Sequence, residues 1–151
     1  MGATAFVTSG SAATLTKAQT LGAKAGFDYK DPDWRKAVGK TTGGLDVVFD
    51  GAPATSYANY TRALSMGARV VVYGSTGGAQ IPVVATDVFL KNITILGTNV
   101  GTLQEFQEAL AFIERHRLRP VIDRTFALED AKEALAYLES AHQFGKIVIS
   151  I

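Results

Sequence analysis

Apolar and amphipathic runs take turns along the chain. Ala3 to Thr8 is a short β-prone run, and Leu15 to Leu21 has helical spacing that closes at Gly22. Gly26 to Tyr29 predicts a brief second strand. In KDPDWRKAV, Asp31 predicts a helix cap, Pro32 a first-turn residue, and Trp34 with Val38 one helix face. After the break at Gly43 and Gly44, LDVVFDGA is almost continuously apolar, the pattern of a strand buried on both faces of a parallel sheet.

The alternation continues with a helix over Ser56 to Leu64, the strand ARVVVY over Ala68 to Tyr73, and the loop GSTGGAQIP. A short helix over Asp87 to Lys91 precedes the buried strand ITILGT. The longest helix runs from Thr102 to Arg117, with Thr102 and Glu105 at capping-box spacing. Strands and helices alternating through short links predict an α/β fold of crossover units around a parallel sheet. Beyond Leu118 the pattern changes to an extended segment, RPVIDRTFAL, an amphipathic helix, EDAKEALAYLES, and a final strand, GKIVISI. No repeat or linker sets residues 118–151 apart, so they belong to the same domain or supply strands to a neighbouring one.

Composition narrows the class. A chain of 151 residues is about one domain, and hydrophobic residues at 47% with charged residues at 19% are ordinary globular values. The formal net charge of +1 gives no electrostatic reason to bind nucleic acid or an anionic membrane. With no cysteine, disulfides, thiolate zinc sites and a cysteine nucleophile are excluded. The only histidines are His116 and His142, at no recognisable metal-site spacing. No apolar run approaches the ~20 residues of a membrane span, and no secretory signal pattern is present. The expectation is a soluble, cytoplasmic protein.

Few motifs carry chemistry. In VGKTTGG, Gly39, Lys40 and Thr41 match the end of a phosphate loop, but the required first glycine falls at Trp34, and a helix end with a glycine turn accounts for the segment. The full Gly-x-Gly-x-x-Gly dinucleotide fingerprint is absent. TSGSAAT has one glycine, Gly10, among hydroxyls at Thr8, Ser9 and Ser11. It reads either as a strand-to-helix turn capped by Ser11, or as a contact to a ribose or its 2′-phosphate. Strands that bind the ribose of NAD usually end in an acid, and this one does not, which suits NADP better. FDGAP, VVYGSTGG and ILGTNVG are three strands ending in glycine loops, which in a parallel sheet line one crevice. Asp46, Asp50, Asp87 and Asp123 lie at strand edges or caps, and no histidine adjoins a nucleophile.

Taken in order, LGAKAGFDYKDPDW, TTGGLDVVFDGAP, ALSMGARVVVYGSTGG, FLKNITILGTNVGT, LRPVIDRTFALEDAKEALAYLES and FGKIVISI resemble the C-terminal half of the medium-chain dehydrogenase/reductase superfamily. The likeness is to its zinc-free quinone oxidoreductase branch and to alcohol dehydrogenase-like and enoyl reductase-like members. The resemblance implies a Rossmann-like parallel sheet with flanking helices, incomplete at its N-terminal βα unit, with residues 1–151 a partial dinucleotide-binding domain. MGATAFVTSGS would be the family's second strand, leaving two unpaired sheet edges and an oligomer, or a complementing segment, to cover them.

The resemblance also implies site residues. Thr8, Ser9, Gly10 and Ser11, with Tyr29, match the 2′-phosphate region; Asp50, Gly51 and Ala52 match adenine and ribose contacts. Gly74, Ser75 and Thr76, with Gly97, Thr98 and Asn99, match the nicotinamide side, and Gly145 and Lys146 match a late Gly-Lys pair near the cofactor. The lysine that many NADPH-using members carry three residues beyond the serine is Thr14 here. The implied cofactor is NADP rather than NAD, with no zinc held by this chain. The implied activity is hydride exchange with a carbonyl, alkene or quinone. No residue is a candidate proton donor, so the isolated chain is expected to be inactive. The alternative is a non-catalytic Rossmann-like module that dimerises or binds another polypeptide.

Overall fold

A computed structural model describes residues 2–151. Among these residues strands and helices alternate: β1 Phe6–Ser9, α1 Ala12–Thr20, β2 Ala25–Asp28, α2 Trp34–Thr42, β3 Leu45–Asp50, α3 Pro53–Tyr60, β4 Leu64–Val72, α4 Ala85–Lys91, β5 Thr94–Gly97, α5 Leu103–Arg115, β6 Ile122–Ala127, α6 Ala131–Glu139 and β7 Lys146–Ser150. The pairings are parallel, in three sheets of order β1-β2, β3-β4-β5 and β6-β7. Parallel sheets flanked by helices are the α/β arrangement that the alternation predicts, and they are Rossmann-like as the resemblance implies. No helix among the described residues is long and apolar enough to cross a membrane.

The chain divides into two compact units, Met1–Asn99 and Val100–Ile151. In the first, β1 and β2 run in register from Phe6 opposite Ala25 to Ser9 opposite Asp28. β4 lies centrally between β3 and β5, and the β3-β4 register shifts between Leu45 and Val47. One core joins Tyr57, Tyr60, Leu64, Ala68, Val70 and Ile93 beneath α3 and α4. A second joins Phe27, Trp34 and Val38, with Leu45 and Ala63 packed against it, so α2 ties β2 to the start of β3. Lys91 clamps α4 to the turn before β4, its Nζ donating to Arg62 O (2.9 Å) and Leu64 O (2.8 Å).

Several elements differ from the sequence reading. The helix after Tyr29 starts at Trp34 with Asp33 as N-cap, not Asp31. Asp31 instead closes a preceding turn, its Oδ1 accepting from Asp33 N (2.8 Å) and its carbonyl from Trp34 N (3.1 Å). That turn leaves Pro32 outside the helix. α3 begins at Pro53 rather than Ser56, since the fixed φ of proline suits a first helical turn. It ends at Tyr60 in a 3₁₀ turn, and β4 starts at Leu64 rather than Ala68. β3 is not buried on both faces: Val48 and Asp50 turn inward, while Val47 and Phe49 are exposed, Phe49 by 72%. α3 and α4 cover one face of that sheet, and among the described residues of the first unit no element covers the face of Phe49. The Gly39-Lys40-Thr41 segment is the last part of α2, closed by Gly43 in the left-handed region at φ 69°, as a helix end requires.

In the second unit, α5 carries the capping box its sequence predicts: Thr102 Oγ1 accepts from Glu105 N (3.2 Å), and Glu105 Oε2 accepts from Thr102 N (2.7 Å). The bond from Thr102 N, and a second that Thr102 Oγ1 donates to Glu105 Oε2 (2.9 Å), hold the Glu105 carboxyl below its ordinary pKa. Leu103, Phe106, Leu110 and Ile113 form an exposed apolar face on α5. α6 packs on β6 and β7 through buried Ala134.

Candidate functional site

The strands of the first unit end in loops that carry most of the candidate residues, and the structure gathers them into two clusters. At the end of β1, Ser11 is extended (φ −135°) and its side chain accepts from Thr14 N (3.4 Å), capping α1. Ser9 Oγ accepts from Ser11 N (3.3 Å). The first turn of α1 has no acidic residue, so nothing local offsets the partial positive charge of its N-terminus. The end of β2 lies beside it, with Tyr29 N donating to Ser9 O (3.2 Å). A Cβ added to Gly10 would meet Lys30 Cε at 2.6 Å and the Tyr29 hydroxyl at 2.8 Å, so both side chains lie directly over that glycine. Hydroxyls, a phenol and a lysine stem therefore share one exposed corner. Lys30 is the member the sequence reading passed over; its only signal was its place immediately after Tyr29.

The second cluster joins the ends of β3, β4 and β5. The Asp50 side chain, 7% exposed, turns inward. Its Oδ2 accepts from Ser56 Oγ (2.5 Å) and Tyr60 OH (2.7 Å), and its Oδ1 from Ala52 N (2.8 Å). Burial, and then the bond to Asp50, push the Tyr60 phenol far above its ordinary pKa. The next loop is stitched on through Tyr73 N to Asp50 O (3.1 Å) and Thr76 N to Gly51 O (3.0 Å). Gly51 and Gly74 touch so closely that a Cβ on Gly74 would stand 2.9 Å from Gly51 O. Thr98 N donates to Val72 O (3.0 Å), placing Gly97, Thr98 and Asn99 beside the end of β4. Ser75 and Thr76 are exposed.

Gly145 and Lys146 belong to the second unit. Gly145 is left-handed at φ 113° and its missing Cβ would collide with Val121 O, so no side chain fits there. Lys146 N donates to Val121 O (2.8 Å), while Asp123 accepts from Tyr137 OH (2.7 Å) and Phe144 N (3.2 Å). Arg124 stacks over the Tyr137 ring at 4.2 Å.

The donor set does not fit a zinc site. The chain has no cysteine, and among the described residues no group of three or more His, Asp and Glu side chains is placed to hold a metal ion. His116 caps the end of α5 and packs on Phe112, ring centroids 4.3 Å apart.

Comparison with known proteins converges on one family. The family profile described as zinc-binding dehydrogenase matches residues 21–149. A zinc-type alcohol dehydrogenase-like protein, YogA, of Leptosphaeria maculans is 37% identical over all of this chain and 45% of its own length. Quinone oxidoreductase-like protein 2 of Bos taurus is 28% identical over 89% of this chain and 42% of its own. The crystal structure of an NAD-dependent alcohol dehydrogenase superposes with a TM-score of 0.87 at 32% identity, covering 99% of this chain and 44% of that one. The chain thus spans under half the length of the relatives it matches.

Proposed function

The chain belongs to the zinc-binding dehydrogenase family, within the medium-chain dehydrogenase/reductase superfamily, and on that basis we propose that it is the cofactor-holding part of an oxidoreductase, preferring NADP to NAD. Residues 8–11 with Tyr29 and Lys30 would receive the 2′-phosphate, residues 51 and 52 the adenosine, and residues 74–76 and 97–99 the nicotinamide side. The observation that carries this reading is the corner over Gly10. It combines a helix N-terminus without an acid, two serine hydroxyls, a phenol and a lysine stem, a chemistry that favours an anion and would not reward a bare ribose. β1 ends in Ser9, where NAD-binding strands usually place a carboxylate for the ribose hydroxyl. Lys30 would supply the cation that Thr14 does not.

A bound nicotinamide dinucleotide supplies hydride transfer, here to a carbonyl, alkene or quinone. This chain's own residues bind and orient it; Gly51 and Gly74 keep the strand-end loops low enough for a ligand to lie across them. No side chain of the chain is assigned a proton, and the 151-residue polypeptide is expected to show no reductase turnover by itself. The open edges of β1 and β3 are proposed to be covered by a second copy or a complementing segment.

Titration with NADPH and NADH, followed by quenching of the single tryptophan, tests the cofactor reading. NADPH is expected to bind at least about tenfold more tightly, a margin of about 1.4 kcal/mol. Equal affinities would remove the NADP preference. Binding of neither, together with a stable dimer by light scattering, would favour a non-catalytic module instead.

A further inference from the structure

The side chain of Asp50 is fully engaged inside the protein, and this changes what it can do. Its three hydrogen-bond donors come from two residues of α3, Ser56 and Tyr60, and from the backbone of the loop it begins, Ala52 N. The same loop holds the next one, through Gly51 O to Thr76 N and through the contact of Gly51 with Gly74. We infer that Asp50 is a positioning residue: anchored by the Tyr60 and Ser56 hydroxyls, its carboxylate sets the place of residues 51–52, and through them of residues 73–78, without itself touching a dinucleotide.

The physical case rests on satisfaction and burial. A carboxylate keeps about four lone-pair sites, and here three are used by hydrogen bonds while the group is almost wholly covered. Charge-assisted bonds of 2.5 and 2.7 Å are short, strong and directional, so turning the carboxylate outward toward a ribose would break both hydroxyl bonds. Left in place, it fixes Ala52 N, and a loop pinned at that amide presents its backbone, not its acid, to the crevice. Tyr60 and Ser56 then act on a ligand they do not meet.

This inference rests on the cofactor reading above, and the experiment separates the two. The full chain is compared with Tyr60→Phe, Ser56→Ala, Asp50→Asn and the Asp50→Asn/Tyr60→Phe double variant. The readouts are NADPH affinity by calorimetry, thermal midpoint, and amide hydrogen exchange at Ala52, Tyr73 and Thr76. Positioning predicts that Tyr60→Phe and Asp50→Asn each weaken NADPH about two- to tenfold. It also predicts that the double variant is no weaker than the more affected single, and that all three amides exchange faster in Tyr60→Phe. Two results overturn it. In one, Asp50→Asn alone weakens NADPH while the hydroxyl variants bind and exchange as the parent does, which marks a direct contact. In the other, midpoints fall while affinity and exchange stay unchanged, which marks a purely structural role. If the parent chain binds neither NADPH nor NADH, the cofactor reading fails by itself, and exchange at the three amides still decides the positioning.

Discussion

Replacing Gly74 by alanine tests whether the two central strand-end loops are locked by direct backbone contact. The added Cβ would stand 2.9 Å from Gly51 O and 3.3 Å from Gly51 Cα. Both are backbone atoms, so no rotamer change relieves the overlap. The loops must part by a few tenths of an ångström, at the expense of the bonds from Tyr73 N to Asp50 O and from Thr76 N to Gly51 O, 3.1 and 3.0 Å long. Gly74 is not among the positive-φ residues, so the penalty is steric and not conformational. Overpacking costs about 1–3 kcal/mol, and the stiffer unfolded chain of an alanine variant returns about 0.4–1 kcal/mol. The net expected loss is about 1–2 kcal/mol, read by urea unfolding with the emission of buried Trp34 as the probe. Gly97→Ala is the internal comparison: its Cβ would meet nothing within 4 Å, so its midpoint should hold or rise. A Gly74→Ala midpoint equal to the parent's would refute the contact.

Three further outcomes follow from the packing of the first unit. Gly39 sits inside α2 with open space around its missing Cβ, so Gly39→Ala should stabilise by about 0.5–1 kcal/mol in the same unfolding assay. Lys91→Met strips the donors from Arg62 O and Leu64 O and should cost about 1–3 kcal/mol, whereas Lys91→Arg should recover part of it. The Tyr60 phenol has its folded pKa raised above the ordinary 10.0, so its stabilising contribution is complete below about pH 10 and is lost as pH rises through the folded value. Parent stability should therefore fall more steeply above pH 10 than that of Tyr60→Phe, and parallel slopes would contradict the buried Tyr60-Asp50 bond.

The sequence made the alternation of strands and helices legible because it is written locally, in runs of apolar residues and in caps such as Ser11 and the Thr102-Glu105 box. The end of α2 at Gly43 was legible for the same reason. Boundaries set by competition between neighbours were not. Asp31 looks like a helix cap, yet its carboxylate serves the turn one residue pair away, and Pro53 starts α3 earlier than apolar spacing suggests. The exposure of Val47 and Phe49 was invisible, since an apolar strand reads as buried whether or not anything lies over it. At the candidate site, the grouping of Tyr29 with residues 8–11 came from the family resemblance and from no local pattern. The engagement of Asp50 by side chains six and ten residues onward, and the placing of Lys30 over Gly10, exist only once α3 and β2 are folded.

The unpaired edges lead to a last expectation. Among the described strands β1 pairs only with β2 and β3 only with β4, so each keeps one edge whose amides and carbonyls lack a strand partner, while β4 is paired on both sides. Parallel pairing is the weaker kind per residue, and an open edge is a template for another strand. On β3 that edge adjoins the exposed ring of Phe49, whose burial is worth about 1.5–3 kcal/mol. A further strand would therefore gain both ladder bonds and apolar cover at the same place. Amide exchange resolves this strand by strand: β4 amides should exchange slowest, with β1 and β3 faster at low protein concentration. If a second copy supplies the cover, β1 and β3 should slow as concentration rises; if a complementing segment does, a peptide or longer chain should slow them at any concentration. β3 amides that exchange as slowly as those of β4 in dilute protein alone would show that the edge is not open, and the argument for a covering partner would fall with it.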